Sequence, residues 1–436
     1  MSQLITGYLP EDRPPFWKLI LFAFQQILVM FPATVLVALL TGFHVSTTIF
    51  ASGFATLCFI FITKGKIPLY YGSSFAYIAA IVGITGAKFG VPASDALISQ
   101  AQFGIIMSGL VSIAAGLIVS RFGREAIEKV LPPTVTGSIA IVIGISLTGV
   151  AMTNAVLVNG VASNNAVTVA LITLLSTILF SVYLKGVWAQ LPILLGILVG
   201  YAVSIALGMV DFAPVTAGAI IQAPHFTLPS VSWPAVFAIM PIAIATIPES
   251  TAHLFQLDIY VNDLAKKKGA DHHPIAEKLG LNLIGDGIGD IVSSMIGGPA
   301  GTNYGENLST MAITRNFSVW VLGAAAIITM VIAFVNPLSA LVLTIPSSVI
   351  NGACIYLFGI IGAQGIAIMI ERKVDMFDAK TLAVIAVILT IGLGGTFGFA
   401  GGMIPAFGFQ LPAIATASIF GIVLNLLLSF KKRQAK

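Results

Sequence analysis

Apolar runs of about 20 residues, the length that crosses a bilayer as an α-helix, follow one another along nearly the whole chain, separated by short polar loops. Glycine and proline shorten or interrupt two of these runs, near residues 68–85 and 301–314, so plain helices are not expected there. The pattern predicts an all-α polytopic membrane protein with about fourteen transmembrane segments. The segments are predicted near residues 17–42, 46–63, 68–85, 97–120, 132–153, 165–184, 190–210, 232–256, 279–297, 301–314, 317–335, 346–370, 379–399 and 411–430.

Composition agrees with this pattern, because 57% of the 436 residues are hydrophobic and only 9% are charged, whereas a soluble domain carries about 25% charged residues. The net charge is +4, but the basic residues form short clusters between apolar runs. With both termini in the cytoplasm, these clusters lie on the cytoplasmic side and only Lys88 lies outside, as the positive-inside rule requires. The chain is therefore expected in the cell membrane, in contact with lipid and without a nucleic-acid partner.

The sequence has no motif typical of an enzyme, a cofactor or a metal site. His-Glu-x-x-His, Gly-x-Ser-x-Gly and the phosphate-binding P-loop are absent. Cys58 and Cys354 lie inside apolar runs, which argues against a disulfide or a cysteine-ligated metal. His272 and His273 belong to the loop AKKKGADHHPIAEK, interpreted as a solvated cytoplasmic loop. We predict a protein that is not an enzyme and has no cofactor and no metal ion.

The second half of the chain repeats parts of the first. Residues 71–75 (YGSSF) resemble 304–308 (YGENL), each with a proline a few residues upstream, and 31–34 (FPAT) resemble 247–250 (IPES). Both matches are seven segments apart. Because seven is odd, the two halves would enter the membrane with opposite orientation, which is the inverted repeat of many secondary transporters. Short segments broken by glycine and proline at matching positions of two such halves indicate the substrate site.

Two glutamates lie beside breaks in the apolar pattern. Glu306 stands at the start of the interrupted tenth segment, and Glu249 directly follows Pro248, which kinks a helix. A single charge at membrane depth costs about 3 kcal/mol or more, and broken backbone there is tolerated only against protein or a water-filled cavity. We therefore interpret Glu249 and Glu306 as part of a binding site for a polar solute.

Three further ionisable residues lie within apolar segments. His253 follows Glu249 by four residues and shares its helix face, so it could relay a proton or orient the glutamate. Asp286 and Asp290 are also four residues apart, on a glycine-rich helix. Since neither aspartate adjoins a break, a functional role and a structural polar contact between helices are both open for this pair.

The chemistry of two carboxylates suggests the kind of solute. An ionised carboxylate accepts hydrogen bonds and donates none, so it suits a partner with fixed N–H donors. Carbonyl oxygens on the same solute need backbone N–H groups freed at a helix break, such as those near 72–75 and Gly305. A flat ring with alternating N–H and C=O groups meets both requirements. Two acids facing one buried site favour the retention of a proton, so proton coupling is predicted.

Several stretches resemble the nucleobase–ascorbate transporters, the uracil/xanthine permeases. Residues 306–315 (ENLSTMAITR) are similar to the family signature of an acidic or amide residue, Asn, any residue, Gly, four residues, Thr and a basic residue. Further similar motifs follow in the family's order over nearly the whole chain: GSSFA at 72–76, Glu249-x3-His253, GDG at 285–287, Gly298-Pro299 and YGEN at 304–307.

The resemblance implies a fold of two inverted seven-segment repeats, with short antiparallel strands in segments 3 and 10. A core domain would move against a gate domain in an elevator-type alternating-access mechanism, usually within a homodimer. The core domain would comprise residues 17–120 (segments 1–4) and 232–335 (segments 8–11). The gate domain would comprise residues 132–210 (segments 5–7) and 346–430 (segments 12–14).

The resemblance also implies roles for individual residues. Glu249 would bind the ring N–H of a nucleobase, Glu306 would be the second carboxylate, and His253 would assist Glu249 in proton coupling. The residues implied to line the pocket are Tyr304, Gly305 and Phe75, and those implied to support it are Asp286, Gln26 and Asn307.

The glutamate before Asn307 resembles the uracil branch of the family more than the xanthine branch. Three positions depart from the pattern of uracil permeases: Gln26 replaces a histidine, Pro248 replaces a threonine, and Ser309 replaces the signature glycine. The missing histidine could alter proton coupling or the range of substrates.

We therefore predict a proton-coupled importer of uracil or a closely related pyrimidine. A symporter of xanthine or another purine is the first alternative. The second is an anion exchanger or channel on the same architecture, which would need a positive or neutral site where this chain carries two glutamates.

Overall fold

The computed structural model describes residues 7–123, 129–158, 160–406 and 409–434. The helices are α1 (Phe16–Thr41), α2 (Val45–Ile62), α3 (Ile78–Thr85), α4 (Asp95–Phe122), α5 (Pro133–Val156), α6 (Asn164–Tyr183), α7 (Pro192–Ala206), α8 (Ala213–Ala217), α9 (Trp233–Ile239), α10 (Ala243–Lys268), α11 (Leu279–Met295), α12 (Gly305–Thr314), α13 (Val319–Ile332), α14 (Asn336–Leu343), α15 (Ser347–Glu371), α16 (Ala379–Gly398) and α17 (Ala413–Gln434). The strands are β1 (Tyr71–Ser73), β2 (Leu157–Val158), β3 (Val161–Ala162), β4 (Gly301–Asn303), β5 (Met403–Ala406) and β6 (Phe409–Pro412).

Among the described residues, eight stretches of helix are long and apolar enough to cross a membrane: α1, α2, α4, α5, α6, Trp233–Lys268, α15 and α16. Shorter apolar helices cover Phe75–Thr85, α7, α13 and Ala413–Ser429. The prediction of a multi-pass helical membrane protein is confirmed, while the number of crossings stays a prediction. The apolar pattern did not predict α8, α14 or the hairpins β2–β3 and β5–β6, because these elements are too short to produce a periodic signal.

The outer faces of the helices carry apolar side chains, as contact with lipid requires. On α6, for example, the exposed leucines Leu171, Leu175 and Leu179 repeat every four residues along one face. Inside, one apolar cluster joins the second half of α1 to α5 and α15, and another joins its first half to α10 and α13.

The strands β1 and β4 pair in antiparallel fashion, with Tyr71 opposite Asn303, Gly72 opposite Thr302 and Ser73 opposite Gly301. The prediction of short antiparallel strands in segments 3 and 10 is therefore confirmed. Each strand leads into a short helix, over Phe75–Thr85 in the first half and α12 in the second. The backbone N–H groups at the start of these two helices are left without intrahelical partners.

The two halves of the chain match with an offset of 230 residues at this point, which is the separation along the chain between strands 71–73 and 301–303. Ser74 donates its N–H to the carbonyl of Ala300, and Tyr304 donates its N–H to the carbonyl of Tyr70, both at 2.9 Å. The degree of burial is the same at each position from 71 to 84 as at the equivalent position from 301 to 314. The internal repeat is therefore present in the structure.

The sequence comparison of the halves was wrong by three residues, because it matched Tyr71 with Tyr304. Tyr71 begins its strand, whereas Tyr304 follows its own, so the counterpart of Tyr304 is Ser74. The Tyr-Gly pair that the two stretches share does not mark equivalent positions of the repeat. It reflects the packing of each tyrosine ring on a glycine of the other half. The Tyr304 ring occupies the space that a side chain at Gly72 would need, and the Tyr71 ring does the same at Gly301.

The helices pack in two groups. In one group α11 packs on α2 and α4, and α13 packs on α1 and α2. In the other group α5 packs on α15 and α16, α6 packs on α7 and α15, and α16 packs on α17. Each group contains a seam where glycines bring two backbones together, at Gly109 and Gly287 between α4 and α11, and at Gly137 and Gly365 between α5 and α15.

Gly365→Val is expected to destabilise the protein by about 1–3 kcal/mol more than Gly359→Val on the same helix, because the added atoms overpack the seam. A Cβ atom at Gly365 would lie 2.8 Å from Cγ1 of Ile141 and 2.9 Å from its backbone nitrogen. A Cβ atom at Gly359 would meet nothing within 4 Å, so that variant changes helix propensity alone. Thermal unfolding of the two purified variants in detergent measures the difference; equal losses would mean that the seam tolerates a side chain.

Candidate functional site

Glu249 and Glu306 come together from the two motifs that the sequence singled out. Glu249 lies in α10 directly after the internal Pro248, and Glu306 lies in the first turn of α12. Glu249 is exposed although its neighbours Ile247 and Ser250 are buried, and Glu306 is half-buried. Glu306 lies near enough to Glu249 for its charge to act on the Glu249 carboxylate. The two acids therefore lie close enough to interact within the helix bundle; that they bind a solute together stays a prediction.

The N-terminus of α12 gives this region a second chemical character. The first N–H groups of a helix lack intrahelical acceptors and carry the positive end of the helix dipole. Glu306 in the first turn of α12 offsets that partial charge. The site thus combines acceptor carboxylates with backbone donors, which is the combination needed by a solute that both donates and accepts hydrogen bonds.

His253 lies against the break before α12. A Cβ atom at Gly305 would be 2.7 Å from Nε2 of the imidazole, so the glycine is required for the ring to fit. The imidazole also hydrogen-bonds to the backbone of Asn303, while its buried Nδ1 has no hydrogen-bond partner in the described part of the chain. His253 therefore connects α10, which carries Glu249, to the strand and helix that carry Glu306.

Tyr304 is only 4% exposed and uses its polar groups within the protein. Its hydroxyl donates to the carbonyl of Ser73 at 3.0 Å and lies 3.1 Å from Oγ1 of Thr34. Tyr304 thus holds α1 against the paired strands. Its side chain packs against Gly72 of the strand pair and supports it; the prediction that Tyr304 lines the pocket, partly through backbone groups, stays a prediction.

Phe75 is half-buried at the start of the helix that follows β1. Its ring packs edge-to-face on Phe358 of α15, with 6.4 Å between the centroids. Phe75 is therefore a contact between the helix group that holds the strands and the group that contains α15.

A buried polar network lies behind Glu249. The hydroxyl of Ser250 donates to Oδ2 of Asp286 and accepts hydrogen bonds from Nδ2 of Asn282 at 2.7 Å and Nδ2 of Asn303 at 3.1 Å. Asp286, predicted as a supporting residue, thus reaches Glu249 through its neighbour Ser250. The sequence reasoning missed Asn282 and Asn303; the four-residue spacing of Asn282 and Asp286 was the available signal.

Asp290 anchors both strands to α11. Its Oδ1 accepts a hydrogen bond from the Tyr71 hydroxyl at 2.6 Å and one from the Gly301 N–H at 2.8 Å. The sequence left function and structure open for Asp286 and Asp290. These contacts favour a structural role for Asp290, which holds the two strands against α11.

Gln26 and Asn307, both predicted as supporting residues, contact each other. Nδ2 of Asn307 donates to the side-chain oxygen of Gln26 at 2.8 Å and to its backbone carbonyl at 2.9 Å. Both residues are buried. The pair fixes the first turn of α12, which carries Glu306, to α1; the supporting role of Gln26 and Asn307 in the site stays a prediction.

Comparison with known proteins identifies the family. Residues 17–401 match the sequence model of the xanthine/uracil permeases, described as a permease family. The uracil permease of Bacillus caldolyticus is 37% identical over 434 residues, which cover 98% of this chain and 95% of the relative. The uracil permease of Escherichia coli K12 is 35% identical over 421 residues, which cover 96% and 92%.

The chain belongs to the xanthine/uracil permease family. The resemblance noted in the sequence is therefore confirmed, as is the prediction of a transporter instead of an enzyme.

The permease also has the fold of a solved anion transporter. The inward-facing structure of murine Solute Carrier 26 family member A9 superposes with a TM-score of 0.68 and covers 97% of this chain and 69% of its own. The sequence identity is 14%, so the likeness concerns the fold alone. Both the fold and the family thus agree with a multi-pass permease of the cell membrane.

Proposed function

We propose that this permease imports uracil, or a closely related pyrimidine nucleobase, together with a proton. The observation that carries the proposal is the pair of carboxylates, Glu249 and Glu306, beside the N-terminus of α12, where the side chain of the N-cap residue Tyr304 does not cap the helix. Relatives named uracil permease that match nearly the whole chain support the choice of base. An anion exchanger would have to place its substrate between two acids, which the electrostatics disfavour.

The base binds as a flat ring between the two half-chains. Glu249 accepts a hydrogen bond from a ring N–H, and Glu306 provides the second acceptor. Ring carbonyl oxygens accept from the backbone N–H groups at the start of α12 and at the start of the helix beginning at Phe75. The Phe75 ring, half-buried, offers an apolar face for stacking on the base.

The proton binds at the carboxylate pair. Two acids that feel each other's charge in a partly dehydrated site are less costly to ionise singly than together, so one of them holds a proton. His253, on α10 with its ring against Gly305 at the start of α12, orients Glu249 or passes the proton onward. Release of base and proton on the cytoplasmic side completes the import.

The alternating access follows the two helix groups. Residues 17–120 and 232–335 form the core domain that carries the base, and residues 132–210 and 346–430 form the gate domain past which it moves. The separate packing of these helix groups supports this division, with Phe75 against Phe358 as one contact between them. Two copies of the chain assemble as a homodimer.

Uptake into proteoliposomes tests the proposed function. Purified protein is reconstituted, an inward proton gradient is imposed or collapsed, and labelled uracil is supplied with or without excess unlabelled xanthine. We expect gradient-dependent uptake that xanthine does not displace. Uptake that ignores the gradient would contradict proton coupling, and displacement by xanthine would move the substrate to the purines.

A further inference from the structure

Three side chains with metal-ligating atoms meet at one end of the bundle, away from the carboxylate pair. His44 lies in the turn between α1 and α2, Asp95 is the first residue of α4, and His225 lies in the extended stretch between α8 and α9. Their ligand atoms all lie within 4.8 Å of one another. The sequence did not predict this cluster, because its members are 51 and 130 positions apart.

We propose that His44, Asp95 and His225 bind a divalent transition-metal ion of the zinc type. Two imidazole nitrogens and a carboxylate oxygen are common zinc ligands, and imidazole also suits nickel and copper. Such a site differs from the nucleobase site in ligand chemistry and in position, so it stands whether or not the permease transports uracil.

The distances fit this ligand set. Nε2 of His225 is 2.9 Å from one carboxylate oxygen of Asp95, and Nε2 of His44 is 3.7 Å from the other. Two donors that bind one tetrahedral zinc ion at about 2.1 Å lie roughly 3.4 Å apart. The two observed separations, each to a different oxygen of Asp95, lie on either side of this value, and no pair of ligand atoms is more than 4.8 Å apart, so small side-chain rotations would bring the ligand atoms around one ion.

One nitrogen atom of the cluster has no hydrogen-bond partner in the part of the chain that the structure describes and is therefore available to bind a metal ion. Nε2 of His44 is buried and has no hydrogen-bond partner in the described residues, since 3.7 Å is too long for a hydrogen bond to Asp95. The two imidazole rings lie close together, with 4.4 Å between their centroids and an angle of 51°. A metal ion bound by both rings and Asp95 would give Nε2 of His44 the partner that it lacks among the described residues.

A cavity beside the cluster leaves room for a further ligand. Its volume is about 340 Å³, and its walls include His44, His225 and Ser339 of α14. The hydroxyl of Ser339 is buried without a partner in the described part of the chain. A site with three protein ligands commonly keeps one open position for water or another small ligand, and this cavity provides the space.

A bound ion would tie the stretch between α8 and α9 to the helices beneath it. That stretch is already held there, because Thr47 donates to the carbonyl of His225 at 2.6 Å and Gln102 donates to that of Thr227 at 2.9 Å. Because the ligands come from separate parts of the chain, metal binding would stabilise their folded arrangement by mass action.

Zinc titration of the purified protein tests the proposal. The protein is prepared in detergent, freed of any histidine tag and stripped with a chelator, and Zn²⁺ is added in competition with a chromophoric chelator. The variants are His44→Ala and His225→Ala. The matched control is His273→Ala. The imidazole of His273 lies 3.1 Å from the carboxylate of Glu11, and this contact contains no second histidine.

We expect one zinc ion per chain, affinity reduced at least ~tenfold in either cluster variant, and no change in the control. Zinc should also raise the melting temperature of the wild type and not that of His225→Ala, whose side chain is 53% exposed and whose loss should leave the fold intact. Cobalt should give visible absorption bands that the variants lose. Absence of zinc binding, or equal binding by wild type and both variants, would overturn the proposal.

Discussion

Glu249→Gln is expected to weaken uracil binding by about 30- to 150-fold and to abolish proton-driven accumulation. The substitution keeps the size of the side chain but turns an acceptor-only group into one that also presents an NH2 group toward the ring N–H. A hydrogen bond to a charged partner contributes about 2–3 kcal/mol, and each 1.4 kcal/mol corresponds to about a tenfold change in affinity. Equilibrium binding of labelled uracil to the purified variant measures the first effect, and uptake under an imposed proton gradient measures the second.

The matched control is Glu277→Gln, which makes the same chemical change at an exposed position between α10 and α11. It should leave binding and uptake unchanged. A Glu249→Gln variant that binds uracil with wild-type affinity yet fails to accumulate it would leave Glu249 a role with the proton alone. If both measurements match the wild type, Glu249 has no place in the site.

Asp290→Ala is expected to lower the free energy of unfolding by about 3 kcal/mol or more, because two buried donors lose a charged acceptor. The donors are the hydroxyl of Tyr71 and the N–H of Gly301, at 2.6 and 2.8 Å. They belong to β1 and β4, so the loss should loosen the strand pair on which both half-helices begin. Asp290→Asn keeps an acceptor oxygen and should lose much less. The apparent melting temperature and the folded yield in detergent measure these changes.

A double substitution separates this anchor from any direct role in transport. In a Tyr71→Phe background one of the two donors is already gone, so Asp290→Ala should cost less than it does alone. Fully additive losses would mean that Asp290 does not act through Tyr71. Normal stability of Asp290→Asn combined with loss of uptake per folded molecule would assign Asp290 to transport.

The linear pattern of residues indicated the candidate site residues and some of their supporting residues, but not all of the hydrogen bonds that hold them. Glu249, His253 and Glu306 each stand beside a visible signal, namely a proline, a four-residue spacing or a glycine-rich break, and these signals are local. Asn303 and Thr34 carry no such signal, because their partners Ser250 and Tyr304 lie 53 and 270 positions away. The same limit hid the contacts of the Tyr304 side chain, because the sequence does not reveal that its hydroxyl is held by Thr34 and Ser73.

The sequence by itself determined the helical membrane class and the positions of the apolar and broken segments, because hydropathy and glycine–proline breaks act over short stretches of chain. Its motifs carried the resemblance to the family, and that resemblance implied the strands in segments 3 and 10. The tertiary structure alone decided the register of the internal repeat, in which the residue equivalent to Tyr71 is Gly301 and not Tyr304. It also brought Asn307 onto Gln26 and gathered His44, Asp95 and His225. These pairings depend on which helices become neighbours, and packing between distant parts of the chain determines that.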